Sequence, residues 1–271
     1  MKKIVVLILV VMAAFGLAAC NLLGGSGISI YEYKTDNYIE SSGDYSPTSD
    51  VEAVSIDWVA GSVRVLEGNV SNVTVHESAV GESAKVHYYY RMSNNTLSVA
   101  FAKNGTSVSK ISKDLTVTVP KGKTVDLAIG SVAAYVHVEV DSVGRLDVDS
   151  VSGRVECKMS TLAKADVETV SGSVNMIVDR VPTASVETTS GNITLNFKQM
   201  FESLEVESVS GTVGITMPKD ASFTMTASTE SGRVSTGDFA CTISGKRYIA
   251  GTGEATIEAE TVSSNINLKA A

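Results

Sequence analysis

The sequence has few cysteines, prolines and histidines, and these shortages restrict the class of protein that it can form. Three cysteines in 271 residues are too few for the disulfide framework of a small secreted domain. Of the four prolines, Pro120 and Pro218 follow segments that alternate like β-strands, as proline does in an all-β chain. Helical periodicity is nearly absent, and only TLAKA and FKQMFESL favour a helical turn. The near absence of helical periodicity, together with these alternating segments, predicts an all-β protein.

The residue patterns of common enzymes are missing as well. His76, His87 and His137 lie in separate predicted strands, with no HExxH motif and no pair at metal-ligand spacing. The repeated SVSG phrase lacks the strand–turn–helix context of a GxSxG nucleophile elbow, and no helix follows a glycine-rich phosphate loop. Carboxylates are numerous, but nothing marks one pair as buried. We therefore predict no catalysis and no cofactor.

The first residues have the layout of an export signal. MKK is a short basic start, IVVLILVVMAAFG is an apolar run that is short for a membrane span, and LAAC (Leu17–Cys20) closes it with small residues. LAAC resembles the lipobox of bacterial lipoproteins. This resemblance implies that residues 1–19 are a cleaved signal peptide and that the thiol of Cys20 carries a diacylglycerol. The alternative is an ordinary secreted protein in which Cys20 is incidental.

The net charge of the chain indicates which kinds of partner it can bind. Loss of Lys2 and Lys3 with the signal peptide changes the formal net charge from −8 to −10. An acidic surface repels phosphate backbones and anionic headgroups, so we expect no nucleic-acid partner. Membrane attachment would then come from the lipid anchor. We expect an extracytoplasmic protein that is lipid-anchored to the bacterial membrane.

The mature chain divides into a tether and a folded domain. Residues 20–50 are rich in Gly, Ser, Asp and Asn without a sustained apolar period, and are predicted as a flexible tether whose Tyr31, Tyr33 and Tyr38 dock on the domain. From residue 51 to residue 271, segments such as SIDWVAGSVRVL and KDLTVTVP alternate at period two, separated by turn signals such as SNN and KNG.

A repeat of about 20 residues organises this domain. Aligned on the glycine of an SG step, the spacings are 19, 19, 20 and 21. The strong copies have Gly153, Gly172, Gly191, Gly211 and Gly232, weaker copies have Gly61 and Gly130, and in the last copy Ser264 takes the glycine position. Such a period in a β-rich chain is typical of a solenoid.

The aligned columns predict which side chains face inward. Apolar residues stand five positions before the glycine and two and four positions after it. Within each strand they differ by two, but across the glycine the step is seven, so the chain must turn a corner there. We expect the glycine to supply a positive φ and the preceding serine to bond its local backbone. The prediction is a parallel β-solenoid with SG corners, and with more irregular strands at its N-terminal end.

A column of acidic residues stands four positions before the glycine. Its opposite parity predicts that it faces solvent, with neighbouring carboxylates about 5 Å apart. The candidate cation ladder comprises Asp126, Asp149, Glu168, Glu187 and Glu207, and the column continues at Asp57, Ser228 and Glu260. Ca²⁺ sites need about six to eight oxygens, usually from a loop rich in Asp, and no such loop is present. A solvated face that prevents aggregation is the alternative, and no metal site is predicted beyond this ladder.

Two cysteines remain after Cys20. Cys157 stands in an inward column, and Cys241 lies in an insertion after Gly232. Their coils are four steps apart, or about 19 Å at the stacking distance, which is too far for a disulfide. Two free thiols are predicted.

The sequence also resembles the bacterial family of putative adhesins, a β-strand-repeat domain of unknown function. The resemblance rests on DLTVTVPKG (Asp114–Gly122), on the SVSG and TVSG copies, and on the ending GTGEATIEAETVSSNINL (Gly251–Leu268). It implies an extracytoplasmic β-solenoid, often on a lipid-anchored protein. The last copy departs from the pattern with SSN in place of SGN.

Three functions follow from these observations. The first is a non-catalytic cell-envelope lipoprotein whose rigid solenoid is a binding or adhesion platform or a spacer, with an envelope protein or a glycan as partner. The second is a structural or stress-response scaffold for a membrane partner. The third, a cell-wall enzyme, is disfavoured by the missing catalytic residues.

Overall fold

The computed structural model describes residues 30–41 and 43–271, and nearly all of its regular structure is β. Leu17–Cys20 and the rest of the predicted signal peptide lie outside the described residues. In the N-terminal part the strands are β1 (Ile39–Glu40), β2 (Ala53–Gly68), β3 (Thr74–Ser78), β4 (Tyr89–Ser93), β5 (Thr96–Ala100), β6 (Lys113–Pro120) and β7 (Val125–Glu139). A short 3₁₀ helix, η1, spans Gly81–Lys85.

The remaining strands follow without a helix between them. The middle strands are β8 (Ser142–Ser150), β9 (Val155–Thr169), β10 (Val174–Arg180), β11 (Thr183–Thr188), β12 (Ile193–Phe197), β13 (Ser203–Ser208) and β14 (Val213–Met217). The last strands are β15 (Phe223–Thr229), β16 (Val234–Ser235), β17 (Thr242–Ser244), β18 (Arg247–Ala250), β19 (Ala255–Thr261) and β20 (Ile266–Ala270). The predicted all-β class is confirmed.

Two stacks of parallel strands meet at the SG corners. Strands before the corner pair in the order β8, β9, β11 and β13, and strands after it pair in the order β9, β10, β12 and β14. The long strands β2, β7 and β9 each supply both stacks. The predicted parallel solenoid is therefore present, with one coil for each repeat.

The inward columns form the core. Val148, Val167 and Val186 are fully buried before the corner, as Val155 and Leu195 are after it. Because facing strands contribute apolar side chains from both stacks, each added coil extends one continuous hydrophobic interior. The parity of the sequence thus predicted the buried face correctly.

The corner glycines are needed because neighbouring coils approach closely. A Cβ on Gly172 would lie 2.0 Å from the carbonyl oxygen of Gly153, and one on Gly191 would lie 1.8 Å from that of Gly172. Among the corner glycines only Gly61 has a positive φ, at 105°. The predicted reason for the glycines, a left-handed backbone, is therefore wrong for the regular coils. Absence of a side chain is the requirement at these close approaches, whereas Ala134 and Ser264 occupy the corner position in two other coils of the stack.

Hydroxyl groups join each corner to its surroundings. Three residues before the glycine, a buried Ser or Thr accepts the glycine N–H, as Thr169 does from Gly172 at 2.9 Å. The serine directly before the glycine donates to the coil next to it, as Ser171 does to Val151 O at 3.1 Å. The predicted local bond of this serine is thus replaced by a bond between coils.

One weak copy of the repeat was aligned in the wrong register. Gly130 pairs with Asp57 and Asp149, which places it in the acidic column. Ala134 occupies the corner position instead, where its carbonyl oxygen faces Gly153. The error arose because IGSV imitates the corner phrase four residues too early.

The last repeat is not the end of the stack. β19 and β20 lie between β13–β14 on one side and β15–β16 on the other. The outermost coil is therefore the one with Gly232; β18 pairs antiparallel with its strand β15, and β17 pairs in turn with β18. The predicted coil order is wrong at this end. The chain first forms the outermost coil from β15 and β16, and only afterwards adds β19 and β20 between that coil and the preceding one.

The N-terminal end is built in a similar way. β5 and β6 form the outermost coil beside β2, and the antiparallel strands β4 and β3 cover them. In the segment predicted as a tether, Tyr31 is buried and β1 pairs with β4, so the described part of this segment packs on the domain. Cys157 is buried, Cys241 is half-buried, and both are free thiols.

Candidate binding surfaces

The acidic column runs along the outer surface of the first stack, next to the corners. Asp149, Glu168, Glu187 and Glu207 are paired neighbours on successive strands, and Glu260 and Ser228 continue the row. Two positions earlier, a second row contains Asp147, Asp166, Glu205 and Glu258. Arg145 pairs with Asp147 at 2.9 Å and with Asp166 at 3.8 Å, and so neutralises one end.

This column is less exposed than its parity predicted. Glu207 is buried, and Asp149, Glu168 and Glu187 are half-buried. Burial, followed by the neighbouring carboxylates, raises the pKa of Glu168 and of Glu187 to about 7. The same causes raise the pKa of Asp149 to about 6. Near neutral pH Glu168 and Glu187 are therefore partly protonated, which reduces the repulsion along the row.

The predicted cation ladder needs one correction in its membership. Asp126 stands outside the row, paired with Ala53, and its carboxylate accepts the backbone N–H of Arg145 at 2.8 Å. Among the described residues, no group of three or more His, Cys, Asp and Glu side chains could hold a metal ion. The aligned carboxylates therefore do not converge on a metal centre.

The outer surface of the second stack has two halves. Near β7 and β9 it is charged and closely bonded: Lys158 pairs with Glu139 at 2.7 Å, and the hydroxyl of Tyr135 donates to Glu156. His137 lies 3.9 Å from Glu156 and stacks on the ring of Tyr135.

From β10 onward the same surface contains an uncharged area, bordered by the ion pair of Asp179 and Lys198 and by Lys269, which lies across from Thr216. Apart from Ile177, the outward side chains of this area are amides and hydroxyls that pair from strand to strand, and they are half-buried or exposed. The set comprises Asn175, Thr194, Asn196, Thr216 and Asn267, with Gly214 between Thr194 and Asn267. We call this set the neutral face. Sequence analysis missed it, although the columns three and five residues after the glycine contain the signal.

A buried lysine closes the N-terminal end. Lys113 occupies the corner position of the outermost coil, where no further coil forbids a side chain. Its Nζ donates to Phe101 O at 2.6 Å and to Val86 O at 2.9 Å, and pairs with Glu77 at 3.0 Å. Burial lowers the pKa of Lys113 to about 8, against the opposing effect of Glu77. All its partners are structural, so it fastens the covering strands to the stack.

The histidines considered in the sequence do not come together as a catalytic set in the structure. His76 pairs with Asp44 on the surface, and His137 belongs to the network of Glu139 and Glu156. Among the described residues, no helix is long and apolar enough to cross a membrane.

Several solved structures share low similarity with the chain. A putative adhesin from Bacteroides fragilis is 13% identical, with 87% of this chain and 97% of that chain covered at a TM-score of 0.43. A putative cell adhesion protein from Clostridium sporogenes is 12% identical, with 86% and 100% covered at a TM-score of 0.36. A putative lipid binding protein from Parabacteroides distasonis is 12% identical, with 84% and 98% covered at a TM-score of 0.38. No curated protein matches the chain.

A family profile gives a direct assignment. The profile described as Toastrack DUF4097 matches residues 133–269, half of the 271-residue chain. The matched segment includes every strong copy of the repeat, from Gly153 to Gly232, and the last copy at Ser264. The predicted resemblance to an adhesin-type repeat domain of unknown function is confirmed. The protein belongs to the Toastrack DUF4097 family.

Proposed function

We propose that this protein is a non-catalytic cell-envelope lipoprotein that presents a rigid β-solenoid as a binding or adhesion platform. The observation that carries the proposal is the stack itself. Its parallel coils form two long, regular outer surfaces, and both of its ends are closed by antiparallel strands. Short antiparallel covering strands make these ends poor templates for strand-by-strand addition of further chains, so partners would bind to the outer surfaces.

The predicted lipid anchor supports the location. Leu17–Cys20 has the lipobox pattern, and the described residues begin ten positions after Cys20, at Ile30. A short connection would hold the solenoid near the membrane surface. The negative net charge disfavours direct contact with anionic headgroups, which leaves the outer surfaces available to other partners.

Membrane fractionation of cells that express Cys20→Ser tests the anchor. The variant should move from the membrane fraction to the soluble fraction, because only the acyl chains hold the protein there. Cys241→Ser is the matched control and should stay with the membrane. A Cys20→Ser protein that remains membrane-bound contradicts the lipoprotein assignment.

Capture from isolated cell envelopes tests the platform. Full-length protein, immobilised through an added C-terminal tag, should retain envelope protein or glycan in a saturable manner. A heat-denatured sample of the same protein is the control, because an unfolded chain lacks the ordered surfaces. Equal retention by native and denatured protein, or no retention, contradicts the proposed function.

A further inference from the structure

Gly214 is a glycine that the fold does not require. It lies within β14, and glycine in a strand costs about 0.5–1 kcal/mol relative to alanine. A Cβ at this position would meet nothing nearer than Ile193 O at 3.9 Å, which is ordinary van der Waals contact. Its φ is not positive either. An interior strand glycine without a conformational or packing reason marks a place where another molecule approaches the backbone closely.

The side chains around Gly214 define the chemistry of that approach. Thr194 and Asn267 lie directly across from it on β12 and β20, and Thr216 stands two residues further on its own strand. All present hydroxyl or amide groups, and the charged side chains Glu156, Lys269 and the ion pair of Asp179 and Lys198 border the neutral face. Missing side-chain bulk at Gly214 leaves a shallow notch near the centre of this uncharged area.

The structure disfavours several kinds of occupant. β14 is paired on both sides, with β12 and with β20, so an added peptide strand would find no free backbone edge. Apart from Ile177, the outward positions lack the large apolar and aromatic side chains that form the centre of protein interfaces. Lys198 beside this face is paired with Asp179, and the negative net charge of the protein repels anionic polymers.

We infer that the neutral face binds an uncharged glycan chain, with one sugar ring seated in the notch at Gly214. This inference rests on the proposed platform function and names its partner class. Amides and hydroxyls both donate and accept hydrogen bonds, as sugar hydroxyls do, and binding would desolvate no charge. Because the face repeats at the strand spacing of about 4.8 Å, consecutive sugars would meet equivalent groups on successive coils.

Affinity electrophoresis with the full-length, detergent-solubilised protein tests the inference. Native gels would contain soluble neutral polysaccharides, namely a glucan, a mannan and a polymer of N-acetylglucosamine, with dextran sulfate as the anionic counterpart. Wild-type protein should be retarded by at least one neutral polymer and not by dextran sulfate. Gly214→Val should weaken this binding at least tenfold, because its side chain fills the notch.

Two variants separate binding from folding. Gly214→Val should melt at the same temperature as the wild type or higher, since valine suits a strand and the position has room. Ser185→Val is the matched control on the outer surface of the first stack, in β11, and should bind like the wild type.

The remaining outcomes overturn the inference in distinguishable ways. Retardation that is equal for wild type and Gly214→Val places glycan binding elsewhere on the molecule. Retention of envelope material without retardation by any neutral polymer rejects a glycan as partner but leaves the platform function in place. If the protein neither retains envelope material nor is retarded by a neutral polymer, both the proposed function and the inference are contradicted.

Discussion

At the scale of single residues, glycine has two separate uses in this protein. The corner glycines are required by contact between coils, since a Cβ on Gly191 would lie 1.8 Å from the carbonyl oxygen of Gly172. Gly214, in contrast, stands where a side chain would fit. The two kinds look alike in a sequence and differ only in what surrounds them.

Gly191→Ala should destabilise the protein strongly, because the added methyl group forces two coils apart. We expect a loss of about 3 kcal/mol or more in the free energy of unfolding, as for severe overpacking. Gly214→Ala is the matched control and should be neutral or stabilise by up to about 1 kcal/mol. Urea denaturation of both variants measures the difference, and equal stabilities would show that the corner does not need glycine.

The half-buried carboxylates predict how stability depends on pH. Burial raises the pKa values of Glu168 and Glu187 to about 7 in the folded state, above their value of about 4.3 in an unfolded chain. The folded state therefore holds more protons between these values, and stability should fall as the pH rises from 5 to 7.5.

Glu187→Gln tests this pH dependence. It should be more stable than the wild type at pH 7.5 by about 1 kcal/mol, a value reduced from the full shift because the side chain is half exposed. At pH 5 the two proteins should differ little. The urea denaturation midpoints of both proteins at the two pH values measure this difference. A wild type that gains stability toward pH 7.5 would contradict the raised pKa values.

At the scale of elements, each coil is fastened to its neighbours by hydroxyl groups as well as by the strand ladder. The buried hydroxyl of Thr188 accepts the N–H of Gly191 at 2.9 Å, and Ser190 donates to Val170 O at 3.4 Å in the next coil. These bonds satisfy backbone groups at a corner where the ladder is interrupted. They explain why Ser and Thr recur beside each glycine.

Thr188→Val should leave the N–H of Gly191 buried without an acceptor while the volume of the side chain is kept. We expect a loss of about 1–3 kcal/mol in the free energy of unfolding. Thr183→Val, a half-buried position on the same strand β11, is the control and should change stability by less than about 0.5 kcal/mol. Thermal denaturation distinguishes the two, and equal melting temperatures would mean that this hydroxyl is dispensable.

At the scale of the whole molecule, neither end of the stack coincides with an end of the folded chain. β19 and β20 lie inside the stack, and the coil with Gly232 covers them. At the opposite end, β5 and β6 lie outside β2. Both outermost coils are covered by antiparallel strands, so their exposed edges do not offer a regular template for aggregation.

Truncation after Gly253 should therefore remove an inner coil. We expect β15 and β16 to lose their parallel partners and to unfold together with the missing strands, while β8 to β12 stay folded. Hydrogen exchange should show loss of amide protection throughout residues 223–250 in the truncated protein. In the full-length protein, β19 should exchange as slowly as β13, although it lies close to the end of the chain. Protection of β15 that survives truncation would contradict this coil order.

The sequence by itself determined the class of fold, the repeat length and the inward columns. These depend on the alternation of side chains along a strand, which is a local property of the backbone, so Val148, Val167 and Val186 could be assigned to the core correctly. It also contained the family signal that the profile match confirms. Assignment of Gly130 to a corner failed because a local phrase resembles a corner wherever it occurs.

Only the tertiary structure decided which coils are neighbours. The place of β19 depends on which exposed strand edge gains the most stability when β19 pairs with it. This gain in stability is a property of the assembled stack rather than of any one segment. Neighbours in turn decided the half-burial of the acidic row, the buried Lys113 and the neutral face around Gly214. The column pattern is local and could be predicted, whereas the order of the coils is set by long-range pairing and could not.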